Sequence, residues 1–169
     1  MTAVSSSRWF TLASGFADHA DVDLHAVARG LRGLGHGARV REHGSSAFPM
    51  EYLQVASEGS DFERVVDRLR ECLREEAEDE GWKRDLRGIL EMLDPCVPLR
   101  SGPARSPDDL LPRLCVHWCS PKEARRLGPL LARDFNLHWP IDGGATRGCL
   151  LVRATDVDAV LDAIAALGR

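Results

Sequence analysis

Two stretches of the chain decide the fold: YLQVASEGSDFERVVDRL (52–69) and CLLVRATDVDAVLDAI (149–164). Each opens with apolar residues in the pattern of a strand and continues into a capped amphipathic helix. When the two are aligned, the matching pairs are Leu53 and Leu150, Val55 and Val152, Ser60 and Thr155, Asp61 and Asp156, Val65 and Val160, and Asp67 and Asp162. This match indicates an internal repeat, although capped helices that follow strands also resemble one another.

The elements around these stretches follow the same order in both halves. The predicted order is strand 8–16, helix 21–34, strands 38–43 and 50–57 and helix 60–79, then strand 113–119, helix 120–135, strands 137–141 and 149–154 and helix 155–168. Strand-helix-strand-strand-helix is most of a ferredoxin-like sandwich. The sequence therefore predicts an α+β protein of tandem ferredoxin-like β-α-β-β-α units, with antiparallel sheets and helices on one face of each sheet.

A proline-rich stretch separates the two predicted units. The first unit is expected over 1–82, a linker over 83–112 and the second unit over 113–169. Leu86, Ile89, Leu90 and Leu93 have helical spacing and predict a short packed helix in the linker. The five prolines of 95–112 predict an extended conformation after it.

Helices on one face leave the other face of each sheet open. The residues expected there are Trp9, Thr11, Tyr52 and Gln54 in the first unit and Cys115, His117 and Cys119 in the second. Two open sheet faces in one chain either cover each other or bind something else.

The composition is that of a globular protein with a core. The chain has 169 residues, 44% of them hydrophobic, and a net charge of −4, which does not draw it to nucleic acid or to anionic lipid. Its beginning does not predict a signal peptide, and the odd number of five cysteines argues against a secreted disulfide framework. We expect a bacterial, cytoplasmic protein with reduced thiols and without a cofactor.

The motif Cys115-Val116-His117-Trp118-Cys119 suggests a metal site at first sight. Residues two apart on a regular strand are separated by about 6.7 Å, and the two outer cysteines by about 13 Å. Zinc needs its ligands within about 2.3 Å of one point, so that only two of the three could serve, with a partner such as Cys149. We therefore expect no metal site here.

The segment Trp118-Cys119-Ser120-Pro121-Lys122 resembles the Trp-Cys-x-Pro-Cys motif of thioredoxin-like enzymes. A thiol at a helix N-terminus near a cation has a lowered pKa, which suits redox chemistry. Lys122 stands where that family has its resolving cysteine. A thiol redox enzyme that uses Cys119 is therefore a minor alternative.

Residues 8–82 resemble the family of regulators of ribonuclease E activity, type B. The resemblance comprises a strand, a helix that ends in Leu34-Gly35-His36-Gly37, two strands, and a long acidic helix that closes on Glu78-Asp79-Glu80-Gly81-Trp82. The family's Gly-x-Tyr-Asp-Gly-Trp stretch is matched only at its acid-glycine-tryptophan end. The resemblance implies a ferredoxin-like fold and a protein that regulates another protein by binding it, without catalysis.

The leading functional hypothesis is a non-enzymatic regulatory or inhibitory module that binds another protein, such as a nuclease regulator or an immunity-type protein. The predicted contact residues are Glu75, Glu76, Glu78, Asp79 and Trp82. Tryptophan is enriched among binding hot spots, and acidic neighbours would accelerate encounter with a basic partner. The alternatives are that the acidic residues form a solvated helix face and that Trp82 packs against Leu86 and Ile89.

A second hypothesis, from another functional class, is a sensor of a small ligand held between the two units. The turns at 14–18 and 142–144 are candidate ligand loops, although their residues predict turns first.

Overall fold

The computed structural model describes residues 8–16, 22–43, 49–75, 81–93, 113–139 and 148–168. Its elements, in chain order, are β1 (Trp9–Phe16), α1 (Leu24–Gly33), β2 (Ala38–His43), β3 (Met50–Ala56), α2 (Phe62–Glu75), α3 (Gly81–Leu93), β4 (Arg113–Cys119), α4 (Pro121–Leu131), β5 (Leu137–His138), β6 (Gly148–Arg153) and α5 (Val157–Leu167). These elements lie where the sequence pattern predicts strands and helices.

The strands form two antiparallel sheets of three strands each. The first has the order β1-β3-β2 and the second the order β4-β6-β5, so that the last strand of each set occupies the centre. The α+β class and the antiparallel pairing are confirmed. None of the helices in the described part of the chain combines the length and the apolar character that crossing a bilayer requires.

The core of the first half lies between its sheet and three helices. Apolar side chains from alternate positions of β1 and β3 pack against the apolar stripes of α1, α2 and α3, and the fully buried members include Leu12, Val27, Leu31, Leu53, Leu69 and Leu86. The helix α3 therefore belongs to the first core, although the sequence placed its residues from 83 onward in the linker. Residues 94–112 of that linker lie outside the described residues.

The opposite face of the first sheet is covered by the second half of the chain. Thr11, Tyr52 and Gln54, which the sequence predicts on an open face, are all completely buried. Tyr52 belongs to the second hydrophobic core, and the backbone N–H of Thr11 donates a hydrogen bond of 2.8 Å to the carbonyl of Ala154. The sequence leaves open whether this face is covered by the other half or binds something else, and the structure shows that the other half covers it.

Side chains of the preceding residues cap the N-termini of α1, α2 and α4. Asp23 caps α1 and Ser120 caps α4, each accepting a backbone N–H three residues ahead. In α2, which the sequence predicts to begin at residue 60, the cap is Asp61, whose Oδ1 accepts the N–H of Arg64 at 2.8 Å. The Ser60 hydroxyl accepts instead from the guanidinium of Arg68.

Candidate functional site

His117 occupies a β-bulge near the end of β4. The pairing of β4 with β6 passes from Val116–Leu150 to Cys119–Gly148, so that β4 holds one extra residue between these pairs. His117 has a φ of +50°, in the left-handed region that histidine enters more readily than most side chains. Because a bulge interrupts the alternation of a strand, His117 is aimed at groups that a regular strand would not bring to it.

A buried polar cluster surrounds His117 at the junction of the two halves. His43 Nε2 lies 3.0 Å from His117 Nδ1, and the backbone N–H of His117 donates to the Tyr52 hydroxyl at 3.3 Å. Glu123, in the first turn of α4, places Oε1 3.4 Å from His117 Nε2. His117 is only 2% exposed and His43 only 7%. The cluster therefore joins β2 and β3 of the first half to β4 and α4 of the second.

Burial controls the protonation of this cluster. It raises the pKa of Tyr52 to about 12. Burial, with a further contribution from Glu123, raises the pKa of the Cys119 thiol to about 11. The pKa of His43 is lowered by burial and then by the nearby His117 and Arg41. Near neutral pH these groups are a phenol, a thiol and a neutral imidazole. The Cys119 shift is opposite in direction to the one that redox chemistry at a helix N-terminus requires.

His117, Cys119 and Glu123 each direct one ligand atom into a common space. These three atoms lie within 4.8 Å of one another. The expectation of no metal site applies to a regular strand with Cys115, His117 and Cys119 as ligands, whereas the bulge in β4 and the position of Glu123 give a different set of ligand atoms. The side chains of Cys115 and Cys149 lie outside the described part of the structure. A second group, His25 with Glu42 and Glu51, also comes within 4.8 Å, but His25 and Glu42 are exposed.

An ion-pair network beside this cluster fastens α5 to the first sheet. Asp158 accepts hydrogen bonds from Arg39 at 2.7 Å, from Arg41 at 2.8 Å and from the buried amide of Gln54 at 2.8 Å. Arg41 also donates to Asp162 at 2.7 Å. Asp158 lies in the first turn of α5, where the helix dipole favours a negative charge. Asp158 is therefore the acceptor at which the network converges.

The predicted partner-binding residues lie around the connection between α2 and α3. Glu75 is the last residue of α2, while Glu76, Glu78 and Asp79 lie outside the described residues. Trp82, in the first turn of α3, is partly buried against the first core. A methyl group added at Gly30 of α1 would come within 2.3 Å of the Trp82 ring, so this ring packs directly on the glycine. The ring therefore packs on α1, and Trp82 lies against the same hydrophobic core that contains Leu86 and Ile89.

A groove of about 250 Å³ runs between α2 and α3. Its residues are Arg70, Leu73, Arg74, Arg87, Leu90 and Glu91. The two leucines are largely buried and form an apolar floor, and the guanidinium of Arg87 reaches across to the Leu73 carbonyl at 3.3 Å. With three arginines and one glutamate, the rim of the groove carries a net positive charge. The sequence pattern does not predict this groove, because the groove depends on how the two helices pack.

Comparison of the chain with protein-family models, with curated proteins and with solved structures found no match in any of the three.

Proposed function

We propose that this chain is a non-enzymatic regulatory module that binds a segment of another protein in the groove between α2 and α3. The observation that carries the proposal is the combination of an apolar floor, Leu73 and Leu90, with a rim of three arginines. Arginine guanidinium groups bind carboxylates through paired hydrogen bonds, and their aliphatic stems extend an apolar surface. The partner segment that fits is an amphipathic helix with leucine-like residues on one face and acidic residues beside them.

We propose that the acidic residues Glu75, Glu76, Glu78 and Asp79, which stand in the sequence between the two helices of the groove or at the end of α2, also contribute to partner binding. We propose that these residues repel acidic side chains of the partner segment that come near them, and that this repulsion helps to orient the bound segment. Trp82, in the first turn of α3, packs on Gly30 and so connects this helix to α1.

The architecture behind this surface is proposed to be two tandem ferredoxin-like units. Support comes from the matching element order of the halves and from the equivalent strand orders β1-β3-β2 and β4-β6-β5. We place the protein in the cytoplasm, where Cys72 and Cys119, which form no disulfide in the structure, would stay reduced.

The test uses two synthetic amphipathic peptides with the same leucine face, one flanked by glutamates and the other by lysines. Fluorescence anisotropy of each labelled peptide is measured with the wild-type chain and with Arg74→Glu/Arg87→Glu. The matched control is Arg29→Glu/Arg125→Glu, which reverses two exposed arginines on α1 and α4. We expect the wild type and the control to bind the acidic peptide at least about tenfold more tightly than the groove variant does.

The groove proposal would be wrong if the lysine-flanked peptide bound better, or if both arginine variants lost binding equally. Thermal melting of each variant shows whether a loss of binding reflects unfolding, since Arg87 also holds the Leu73 carbonyl.

A second candidate function, the small-ligand sensor, is favoured by one observation: the buried polar cluster around His117 joins the two halves. A ligand there would contact both halves at once, and it would raise the melting temperature of the chain if it binds only the folded state.

A further inference from the structure

We infer that His117 Nε2, Cys119 Sγ and Glu123 Oε1 form a binding site for a single zinc ion, with a water molecule as the fourth ligand. This inference goes beyond the partner-binding function, and it deepens the sensor hypothesis by assigning its ligand. It stands on the geometry of the junction alone and does not depend on the groove.

The arrangement of the three atoms matches what zinc requires. In a tetrahedral site with bonds of about 2.0 to 2.3 Å, neighbouring ligand atoms are about 3.3 to 3.8 Å apart. His117 Nε2 and Glu123 Oε1 already lie 3.4 Å apart. Since one ligand atom from each of the three residues falls within 4.8 Å of the others, a contraction of at most about 1 Å would complete the site. An imidazole, a thiolate and a carboxylate together favour zinc over calcium or magnesium.

An unsatisfied atom points to the same site. His117 Nε2 is buried and makes no hydrogen bond to any residue that the structure describes. Glu123 Oε1 lies 3.4 Å away without forming a hydrogen bond, and a metal ion bound by both atoms would satisfy Nε2. The backbone of His117 is in the left-handed region, and such strained conformations cluster at ligand-binding positions.

His43 provides the support that metal-ligating histidines usually have. Its Nε2 lies 3.0 Å from His117 Nδ1. If His117 Nδ1–H donates to His43, the lone pair of His117 Nε2 is left for the metal, which is the tautomer that a ligand needs. Because His43 lies on β2 and the three ligands lie on β4 and α4, zinc binding would tighten the contact between the two halves.

Coordination requires that Cys119 lose its proton. The thiol S–H bond breaks, its electron pair forms the bond to zinc, and the proton passes to the buffer. One proton is therefore released for each zinc ion bound near neutral pH. The Glu123 carboxylate and the thiolate together balance the charge of the ion.

The test is a titration of the chelator-treated full chain with Co²⁺ and Zn²⁺. We expect one equivalent of Co²⁺ to produce a thiolate-to-cobalt charge-transfer band, and Zn²⁺ to displace it. Calorimetry in buffers of different ionisation enthalpy should show release of about one proton per ion. Cys119→Ser should abolish the charge-transfer band, and His117→Asn should weaken binding at least about 100-fold while keeping a side chain that tolerates positive φ.

Two further variants test the carboxylate ligand and the histidine that supports His117. Glu123→Gln and His43→Gln should each weaken binding by about 10- to 100-fold and leave the charge-transfer band in place at saturating metal. The matched control is Cys72→Ser, which removes a cysteine that also lies close to a histidine, with Cys72 Sγ 3.5 Å from His36 Nε2. This control should bind like the wild type.

Three results would each overturn the inference. The first is the absence of any Co²⁺ binding tighter than about 10 μM at pH 7.5. The second is retention of the charge-transfer band in Cys119→Ser. The third is loss of binding in His25→Gln, which would assign the metal to His25, Glu42 and Glu51. Melting curves of the metal-free variants identify any that fail to fold. If a variant does not fold, the proton release measured on the wild type tests whether a thiol is a zinc ligand. Failure of zinc binding would leave the peptide-binding test of the groove unaffected.

Discussion

The first strands of the two halves each contain one extra residue, but at different points along the strand. In β1 the irregularity lies between Thr11 and Ala13, opposite Gln54 and Leu53. In β4 it lies between Val116 and Cys119, nearer the strand end. The first bulge brings the consecutive residues Leu12 and Ala13 to the same apolar core, whereas the second places His117 in a left-handed conformation beside His43 and Glu123.

This difference shows how two halves with the same element order can acquire different roles. The first half adds a helix, α3, and with it the arginine-rimmed groove. The second half has only two described helices and contributes α5 and the bulged β4 to the junction. A bulge moves one side chain without changing the sheet around it, so it alters local chemistry at little cost to the fold.

The largest expected effect concerns the junction that unites the halves. Asp158→Ala should lower the free energy of unfolding by about 2–3 kcal/mol, because it leaves Arg39, Arg41 and the buried Gln54 without their shared acceptor. Asp162→Ala is the control and should cost less than about 1 kcal/mol, since the Asp162 side chain is 73% exposed. Urea denaturation measures both. Equal, small losses would show that the halves are not held together by this network.

The next effect compares one thiol from each half. In the metal-free protein we expect alkylation of Cys119 at pH 8 to be at least about 100-fold slower than that of a free thiol, because burial raises its pKa from 9.0 to about 11 and so lowers the thiolate fraction. Its rate should continue to rise with pH above 9. Cys72, which is partly exposed, should react faster than Cys119. Peptide mass spectrometry resolves the two sites, and a Cys119 rate equal to that of Cys72 would contradict the buried junction.

A third comparison uses the two helix glycines that accommodate a tryptophan ring. Gly30→Ala and Gly128→Ala should each destabilise the protein by about 1–3 kcal/mol, since the added methyl group would come within 2.3 Å of Trp82 or Trp139. Gly88→Ala in α3 is the control. With open space at that position, it should stabilise the protein by about 0.5–1 kcal/mol through helix propensity. Thermal melting measures all three, and stabilisation by Gly30→Ala would show that Trp82 does not pack there.

The smallest effect concerns the acidic connection between α2 and α3. Replacing Glu75, Glu76, Glu78 and Asp79 with Ser should change the free energy of unfolding by less than about 0.5 kcal/mol. The sequence prediction of a basic partner requires slower association, with a difference that shrinks at high salt. The groove proposal predicts the reverse, a faster association of the glutamate-flanked peptide. Stopped-flow measurement at two salt concentrations distinguishes these outcomes.

Local pattern was enough to predict the elements and the class of this protein. The strand β2 over 38–43 and the strand β4 over 113–119 have the predicted bounds, and Ser120 and Asp23 cap their helices. These features depend on residues a few positions apart, whose spacing and hydrogen-bonding groups the sequence shows directly. The same is true of the burial of Leu53 and Leu150 in the centres of the two sheets.

The groove between α2 and α3 and the cluster around His117 depend on tertiary structure. The groove arises because α2 and α3 pack side by side, which brings Arg74 and Arg87 to a common rim. The junction joins His43 to His117 across 74 residues of sequence, and only the bulge in β4 aims His117 at Glu123. The estimate of about 13 Å between the outer cysteines assumed a regular strand. Register irregularities and contacts between distant segments follow from how whole elements pack, and a short stretch of sequence does not predict them.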